Sequence, residues 1–193
     1  MSKIFMKLFK RKLSDKILIL GLGNPGEKYK KTRHNIGKII IDDLINKYGG
    51  SLIEKSKFNA SISEGILNNK ETLFAHSHTY MNESGQAVRA ISRYYKIKPE
   101  NIWIIHDDID IALGKIKTSK DQGSAGHKGV KSIVSHLGNN EFNRLRVGVW
   151  GKDFKEKSKE ITQSYVLEKF LPEEQEKLEI IKNEAISMLS ESI

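Results

Sequence analysis

"ILILGLGNPGEKYKKTRHN", from Ile17 to Asn35, is the stretch of sequence from which the fold class follows. Its first four residues form an apolar run that is typical of a buried strand, and glycines follow at Gly21, Gly23 and Gly26. The spacing G-x-G-x-x-G also occurs where the first strand of a dinucleotide-binding unit turns into a helix. In such a unit the helix begins directly after the turn, and an acidic residue ends the next strand about 20 residues later.

The remainder of the stretch argues against a dinucleotide. Pro25 and the polar run from Glu27 to Arg33 delay the start of a helix. The acidic residues nearest to the position expected for the end of a second strand, Asp42 and Asp43, lie inside the helical pattern itself. A lone G-x-G-x-x-G is weak support for nucleotide binding, so we predict a strand, a tight glycine turn and a polar loop.

Strands and helices alternate along the rest of the chain. Apolar residues recur at helical spacing from Ile36 to Tyr48, and Gly49-Gly50 stop that helix. A hairpin is predicted from the strands "ASISEGIL" and "ETLFAH", which "NNK" connects. Further strands are predicted at "NIWIIHDD" and "RLRVGVW", with a short one at "GKIKT". Three more helices are predicted: one after "YMNESGQ", one after "DQGSAGHKG" and one that begins at Pro172. The charged stretch "GKDFKEKSKEITQ" is predicted to be a mobile loop. The pattern predicts one α/β domain with a mixed, mostly parallel central sheet and helices on both faces.

Composition excludes several classes of protein. The chain has 193 residues, 38% of them hydrophobic and 30% charged, as expected for a globular domain of one core. It has no cysteine, which excludes disulfides and thiolate metal sites and fits the cytoplasm. No apolar run approaches the roughly 20 residues that cross a membrane. We expect residues 1–14 to be a basic, poorly ordered extension without the features of a signal peptide, and residues 15–193 to form the domain.

The charge is unevenly distributed. The formal net charge is +9, yet the segment from Pro172 to the end has six glutamates and two lysines, so the preceding residues carry +13. A positive charge of this size favours a polyanionic partner, and nucleic acid is the first candidate. A need for solubility alone would also account for the charge.

Polar clusters fall where strands end or loops begin. His34 is either an exposed histidine at a helix start or a functional base. Asp107 is either a solvated strand end or the carboxylate that fixes a histidine tautomer. A His–Asp pair without a neighbouring serine or cysteine favours activation of water over covalent catalysis. Because such loops gather at one edge of an open α/β sheet, we expect these residues to share a crevice.

Two alternatives involve ions. His106, Asp108 and Asp110 share one face if their strand continues, which would suit a hard cation, but no second carboxylate cluster completes the ligand shell. The loop "GSAGHKG" at a helix start can cradle a phosphate through backbone N–H groups, or it is merely flexible.

Together these clusters resemble the bacterial peptidyl-tRNA hydrolase family. The matching pieces occur in the family's order and spacing from about Ile17 to Phe170: "GLGNPGEKYKKTRHNIG", "TYMNESGQAV", "HDDIDIALGKIK", "GSAGHKGVKSI" and "FNRLRVGV". The resemblance implies a peptidyl-tRNA hydrolase-like α/β domain that cleaves the ester between a peptide and the 3′ end of tRNA. It implies that tRNA is recycled in translation by a cytoplasmic monomer, without metal or cofactor.

The resemblance also implies roles for individual residues. His34 corresponds to the general base and Asp107 to the carboxylate that keeps it basic. Asn24 corresponds to the residue that distinguishes N-blocked peptidyl esters from free aminoacyl esters. The remaining matches concern substrate and tRNA binding: Tyr29, Tyr80 and Asn82 as substrate contacts, and Arg146 with Lys117 at the terminal phosphate.

The chain departs from the family in places. Lys128 stands where the family usually has asparagine, and we expect it to bind RNA by charge. Glu168 stands where glycine is common. A plant chloroplast splicing factor resembles the same fold, so a non-enzymatic RNA-binding protein is the rival interpretation.

Overall fold

The computed structural model describes residues 14–152, 154 and 158–193. The predicted basic extension, apart from Ser14, lies outside the described residues. Within them the chain forms one seven-stranded sheet with helices packed on it.

The sheet is mixed, as predicted. Its strands, in chain order, are β1 Ile17–Gly21, β2 Ile53–Lys55, β3 Ala60–Leu67, β4 Lys70–Ser77, β5 Ile102–Ala112, β6 Ile116–Lys120 and β7 Asn143–Trp150. They lie in the order β2-β3-β4-β1-β5-β7-β6. The four central strands β4, β1, β5 and β7 are parallel, whereas β2, β3 and β6 pair antiparallel at the two sides. The carboxyl ends of the four parallel strands therefore meet at one edge.

Five α-helices accompany the sheet in the described part of the chain: α1 Ile36–Tyr48, α2 Ser84–Tyr95, α3 Lys128–Leu137, α4 Lys159–Val166 and α5 Gln175–Ser192. Short 3-10 turns precede three of them, over Arg33–Asn35, Met81–Glu83 and Pro172–Glu174, and a further turn covers Glu27–Tyr29. None of the described helices is both long and apolar enough to pass through a membrane.

Two cores explain why β1 is apolar along its whole length. Ile17 and Ile19 pack into the core that α1 and α5 cover. Leu18 and Leu20 point to the opposite face and pack into the core beneath α2 and α3. A central strand buried on both faces needs an apolar side chain at every position, and this is the pattern from which the fold was predicted.

Gly21 and Gly37 let α1 lie directly on the sheet. A Cβ at Gly21 would come within 2.2 Å of the carbonyl oxygen of Gly37, and a Cβ at Gly37 would come within 2.3 Å of the carbonyl oxygen of Ile105. The first turn of α1 therefore packs against β1 and β5, and the turn that precedes it, with His34, lies beside Asp107 in the middle of β5. Of the three glycines in the opening stretch, only Gly26 has a positive φ, +99°.

The predicted loop "GKDFKEKSKEITQ" is wrong from Lys159 onwards, because α4 begins there. The side chain of Ser158 accepts a hydrogen bond from the backbone N–H of Ile161, which caps the helix. Tyr165 and Val166 at its other end are buried. Since those two apolar residues follow the charged run, the run itself does not reveal the helix.

Candidate active site

A cavity of about 960 Å³ opens at the edge where the parallel strands end. It lies where open α/β sheets bind their ligands. Seven of the nine residues proposed from the sequence line it: Asn24, His34, Tyr80, Asn82, Asp107, Lys128 and Arg146. The predicted crevice is thus formed by residues more than a hundred positions apart in the chain.

His34 and Asp107 form a close pair at this cavity. Nδ1 of His34 lies 2.8 Å and 2.9 Å from the two carboxylate oxygens of Asp107. Burial alone would raise the pKa of Asp107, but the adjacent His34 and His127 hold the pKa of this carboxyl well below its usual range. An ionised carboxylate only accepts hydrogen bonds, so Nδ1 of His34 carries the proton and Nε2 keeps its lone pair. A neutral imidazole in this form is a base.

His127 is a second histidine on the same carboxylate, and the sequence argument did not single it out. It is the N-cap of α3: its Nδ1 accepts the backbone N–H of Gly129 at 3.1 Å and of Val130 at 3.3 Å. Its Nε2 lies 3.0 Å from Oδ1 of Asp107. Because backbone N–H groups only donate, the tautomer of His127 is fixed with its proton on Nε2. A histidine directly before a helix, at the end of a glycine-rich loop, was the available signal.

The alternative cation site at His106, Asp108 and Asp110 does not form. His106 is buried, and its Nδ1 donates to the backbone carbonyl of Asp107 at 2.7 Å. Burial and the neighbouring His127 lower the pKa of His106 to about 3, so its ring is neutral. Oδ2 of Asp108 accepts from Nε of Arg146 at 2.7 Å, and its Oδ1 accepts the backbone N–H of Asp110. Both carboxylate oxygens of Asp108, which a cation would need, are therefore already hydrogen-bonded to protein groups.

One group of three side chains in the described part of the chain is close enough to hold a metal ion. It consists of His34, Asp107 and His127, whose ligand atoms lie within 4.8 Å of one another. It fits an ion poorly. Both ring nitrogens of His127 are already hydrogen-bonded, and the nitrogens that face Asp107 carry protons rather than lone pairs. The cluster is better described as a carboxylate that orients two imidazoles.

Asn24 is held rigidly at the rim of the cavity. Its backbone N–H donates to Oδ1 of Asn35, and its backbone carbonyl accepts from Nδ2 of Asn35, both at 2.9 Å. Its side-chain oxygen accepts the backbone N–H of Met81 at 3.0 Å. This contact identifies the oxygen of the amide, and it leaves the NH₂ group of Asn24 as the donor available to a ligand. Asn35, which sequence reasoning did not weigh, supplies the rigidity.

Tyr80 and Asn82 flank Met81, whose backbone N–H contacts Asn24, and both line the cavity. Tyr80 leaves 55% of its surface exposed, and Asn82 is exposed as well. An aromatic face and an amide therefore stand open beside Asn24. Both are suited to contact a ligand that enters from solvent.

Basic residues lie on the β7 side of the cavity. Nη1 of Arg146 lies 3.3 Å from the side-chain oxygen of Gln122, in addition to the contact with Asp108. Arg144, which the sequence argument left out, is buried and donates to the backbone carbonyls of Gln122 and Gly123, so it holds the glycine-rich loop in place. Lys128, the first residue of α3, is exposed at the cavity.

Two predicted contacts lie outside the cavity lining. Lys117 is exposed on β6 and directly opposite Arg146 in the antiparallel pair, which places both side chains on the same face of the sheet. Tyr29 is half-buried in its own 3-10 turn, with Nζ of Lys28 4.8 Å from the centre of its ring. Lys117 is thus a neighbour of the basic side, whereas Tyr29 lies apart from it.

Helix α4, which was not predicted from the sequence, forms part of the cavity wall. The residues that it and its flanks contribute are Ser158, Thr162, Gln163, Val166 and Leu167. The wall is mixed, polar at one end and apolar at the other.

Known proteins are similar to this chain along most of its length. The family model described as peptidyl-tRNA hydrolase matches residues 18–193. A peptidyl-tRNA hydrolase of Thermodesulfovibrio yellowstonii is 43% identical over 175 residues, which is 90% of this chain and 90% of that protein. One from Gloeobacter violaceus is 41% identical over 164 residues, covering 85% of this chain and 81% of the relative.

Solved structures give the same result. The crystal structure of peptidyl-tRNA hydrolase from Acinetobacter baumannii superposes with a TM-score of 0.83 at 37% identity, over 91% of this chain and 87% of that one. A complex of peptidyl-tRNA hydrolase with N-propanol gives a TM-score of 0.84 at 36% identity, over 92% and 88% of the two chains. The family model, the relatives and the solved structures each match most of the chain, and the chain belongs to the peptidyl-tRNA hydrolase family.

Proposed function

We propose that this protein hydrolyses the ester bond between peptide and tRNA in peptidyl-tRNA that has left the ribosome, and that His34 activates the attacking water. The observation that carries the mechanism is the His34–Asp107 pair, with a free Nε2 lone pair at a cavity that Asn24 also lines. Membership of the family supports the substrate class.

The reaction follows from the protonation states at the site. Nε2 of His34 takes a proton from water while the water oxygen forms a bond to the ester carbonyl carbon. The imidazolium that results is stabilised by the ionised Asp107. The bond between this carbon and the terminal ribose oxygen then breaks, and His34 returns its proton to that oxygen. The products are tRNA with a free terminal hydroxyl and a peptide carboxylic acid, which releases the second proton of the water to solvent and becomes a carboxylate.

Asn24 gives the proposed site a means of discrimination. A peptidyl ester presents amide carbonyls near the scissile bond, to which the free NH₂ group of Asn24 can donate. A free aminoacyl ester presents an ammonium group there, which only donates and so cannot pair with that NH₂ group. Asn24 also offers a donor for the oxyanion that develops on the carbonyl, and Asn82 and the aromatic face of Tyr80 stand beside it.

The tRNA is proposed to bind by its 3′ end and acceptor region. Arg146, Lys128 and Lys117 lie on one side of the cavity or next to it, and the chain outside the C-terminal segment has a strong positive charge. Phosphates would displace condensed counterions there. We assign Tyr29 a contact beyond the cavity, since it does not line it. We further propose that residues 15–193 act as one domain in a cytoplasmic monomer.

The test uses two tRNA esters that differ in one group. N-acetyl-aminoacyl-tRNA and the same tRNA with a free α-amino group are incubated with the wild-type protein, and release of tRNA is followed. We expect turnover of the blocked ester and little of the free one. Binding of tRNA without hydrolysis of either ester would instead support the non-enzymatic RNA-binding alternative.

A further inference from the structure

Arg33, the residue before His34, is fully buried. Its exposed fraction is 0%, and a charged side chain is almost never buried to this extent without partners. It lies in the same 3-10 turn as His34. The mechanism proposed for His34 does not use this charge, because Arg33 does not line the cavity.

One distant segment, from Tyr165 near the end of α4 to Glu174 just before α5, supplies partners to Arg33. Nη1 donates to the backbone carbonyl of Lys169 at 2.9 Å, and Nη2 lies 3.0 Å from Oε2 of Glu174. The guanidinium carbon lies 4.1 Å from the centre of the Tyr165 ring and 5.7 Å from that of Phe170. Arginine is suited to such a site, since its planar group makes forked hydrogen bonds and stacks on aromatic faces at once.

Glu174 is the buried ionic partner, with 6% exposed, whereas the carboxylate of Glu168, 3.6 Å from Nη1, is exposed. Its Oε2 also accepts the backbone N–H of Leu171 at 2.8 Å. The backbone of the two segments is joined as well: the N–H of Arg33 donates to the carbonyl of Glu168 at 2.9 Å, and Thr32 forms a bridge to Lys169. The turn that carries His34 and the segment after α4 thus form one hydrogen-bonded unit.

That segment continues directly from a wall of the cavity. Val166 and Leu167, at the end of α4, line the cavity, and Tyr165 beside them contacts Arg33. On the other side, His34 is held to Asp107. One buried guanidinium therefore lies between the turn of the proposed base and the wall formed by α4.

We propose that Arg33 and Glu174 are positioning residues, which fix the turn of His34 and the α4 wall at a set distance across the cavity. The inference rests on the proposed function, because the geometry it preserves is that of His34 against a bound ester. Stability alone is a weak reason for such a pair, since a buried ion pair often contributes no more than well-packed apolar residues of similar volume. The pair instead imposes one arrangement on two segments that are 141 positions apart.

The test removes the pair without leaving a buried charge. In the double variant Arg33→Met with Glu174→Gln, methionine keeps contact with the aromatic rings, and the glutamine oxygen still accepts the N–H of Leu171. We expect a folded protein whose kcat falls about tenfold or more while KM changes less, because a base displaced by a fraction of an ångström reacts poorly.

Lys182→Met is the matched control. Lys182 joins α5 to α1 through Asp43 at 3.0 Å, so it also ties the C-terminal segment to the body of the protein, but neither residue lines the cavity. We expect its kcat to stay within about twofold of wild type. A folded double variant with kcat and KM equal to those of the control would overturn the proposal. Should the double variant not fold, Glu174→Gln alone is compared with the control in the same way.

A second measurement needs no substrate and separates this proposal from the function. Amide hydrogen exchange is followed in the turn at Arg33–Asn35 and in α4. We expect faster exchange in both segments of the double variant, or of Glu174→Gln, than in Lys182→Met, because their joint anchor is lost. Unchanged exchange would overturn the proposal, whereas a wild-type protein that leaves peptidyl-tRNA intact would contradict only the proposed function.

Discussion

Replacement of Asp107 by asparagine should leave the fold intact and remove most of the activity, because the amide favours the wrong tautomer of His34 and lacks the carboxylate charge. His127 is held with its proton on Nε2 by two backbone N–H groups, so it requires an acceptor at the Oδ1 position of residue 107. The asparagine must therefore place its oxygen there and its NH₂ group at the Oδ2 position. That position lies 2.9 Å from Nδ1 of His34.

An NH₂ group at this distance from Nδ1 of His34 opposes an N–H there and competes with the amide oxygen at the Oδ1 position, 2.8 Å from Nδ1, so it favours the tautomer in which Nδ1 accepts and Nε2 carries the proton. Nε2 then has no lone pair for water, and the substituted residue has no negative charge to stabilise imidazolium. A catalytic histidine placed in the wrong tautomer in this way loses about 10⁴-fold in kcat, or about 5 kcal/mol of transition-state stabilisation. We expect a loss of about 10³-fold or more in Asp107→Asn, with tRNA affinity little changed.

The assay is single-turnover hydrolysis of N-acetyl-aminoacyl-tRNA, together with ¹⁵N NMR of the imidazole nitrogens of His34. Asp108→Asn is the control, since Asp108 is the next residue of β5 and contacts Arg146 rather than the histidines. It should retain kcat. The reasoning would be refuted if Asp107→Asn kept kcat within about tenfold of wild type, or if its His34 still carried the proton on Nδ1.

Three further predictions concern RNA binding and acid stability. Arg146→Ala should raise KM more than it lowers kcat, because Arg146 lies on the basic side of the cavity and not at the His–Asp pair; a loss confined to kcat would contradict this. Lys128→Asn should keep catalysis and reduce the slope of log affinity against log salt by about one, since one phosphate contact is lost; equal slopes would exclude Lys128 from the interface. The free energy of unfolding should fall as the pH drops from about 6.5 towards 4, because burial lowers the pKa of His76 to about 4 and of His106 to about 3, so that protons bind first to the unfolded chain. Denaturant titrations at several pH values measure this, and His106→Asn should show a shallower decline; a stability that is flat over this range would contradict it.

The architecture was predictable because its signals are local. The apolar run of β1, the helical spacing of α1 and the alternation of β3 each lie within 13 residues or fewer, and the structure has these elements where they were expected. β2 was not predicted, because it is three residues long and its side chains are largely exposed. α4 was also missed, since its polar face dominates the sequence and its buried residues come only at the end.

The positions of the candidate site residues followed from one topological rule, that loops after parallel strands share an edge. The rule places Asn24 and Asp107 together without any knowledge of contacts. It does not say that His127 contacts the carboxylate of Asp107, since the sequence does not distinguish a histidine that only caps a helix from one that also contacts a carboxylate. Nor does it reveal why Arg33 is buried, because its partner Glu174 is far away in the chain and lies in a segment of otherwise acidic, exposed character.

Hydrolysis by the variant His34→Ala tests the central claim most directly. The variant and wild type are compared for release of tRNA from N-acetyl-aminoacyl-tRNA under single-turnover conditions, and for affinity towards uncharged tRNA. If His34 is the base, the rate should fall by about 10²–10⁴-fold or more, while the affinity should stay close to that of wild type, because the basic side of the cavity is unaltered. Turnover near the wild-type rate in His34→Ala would contradict the account.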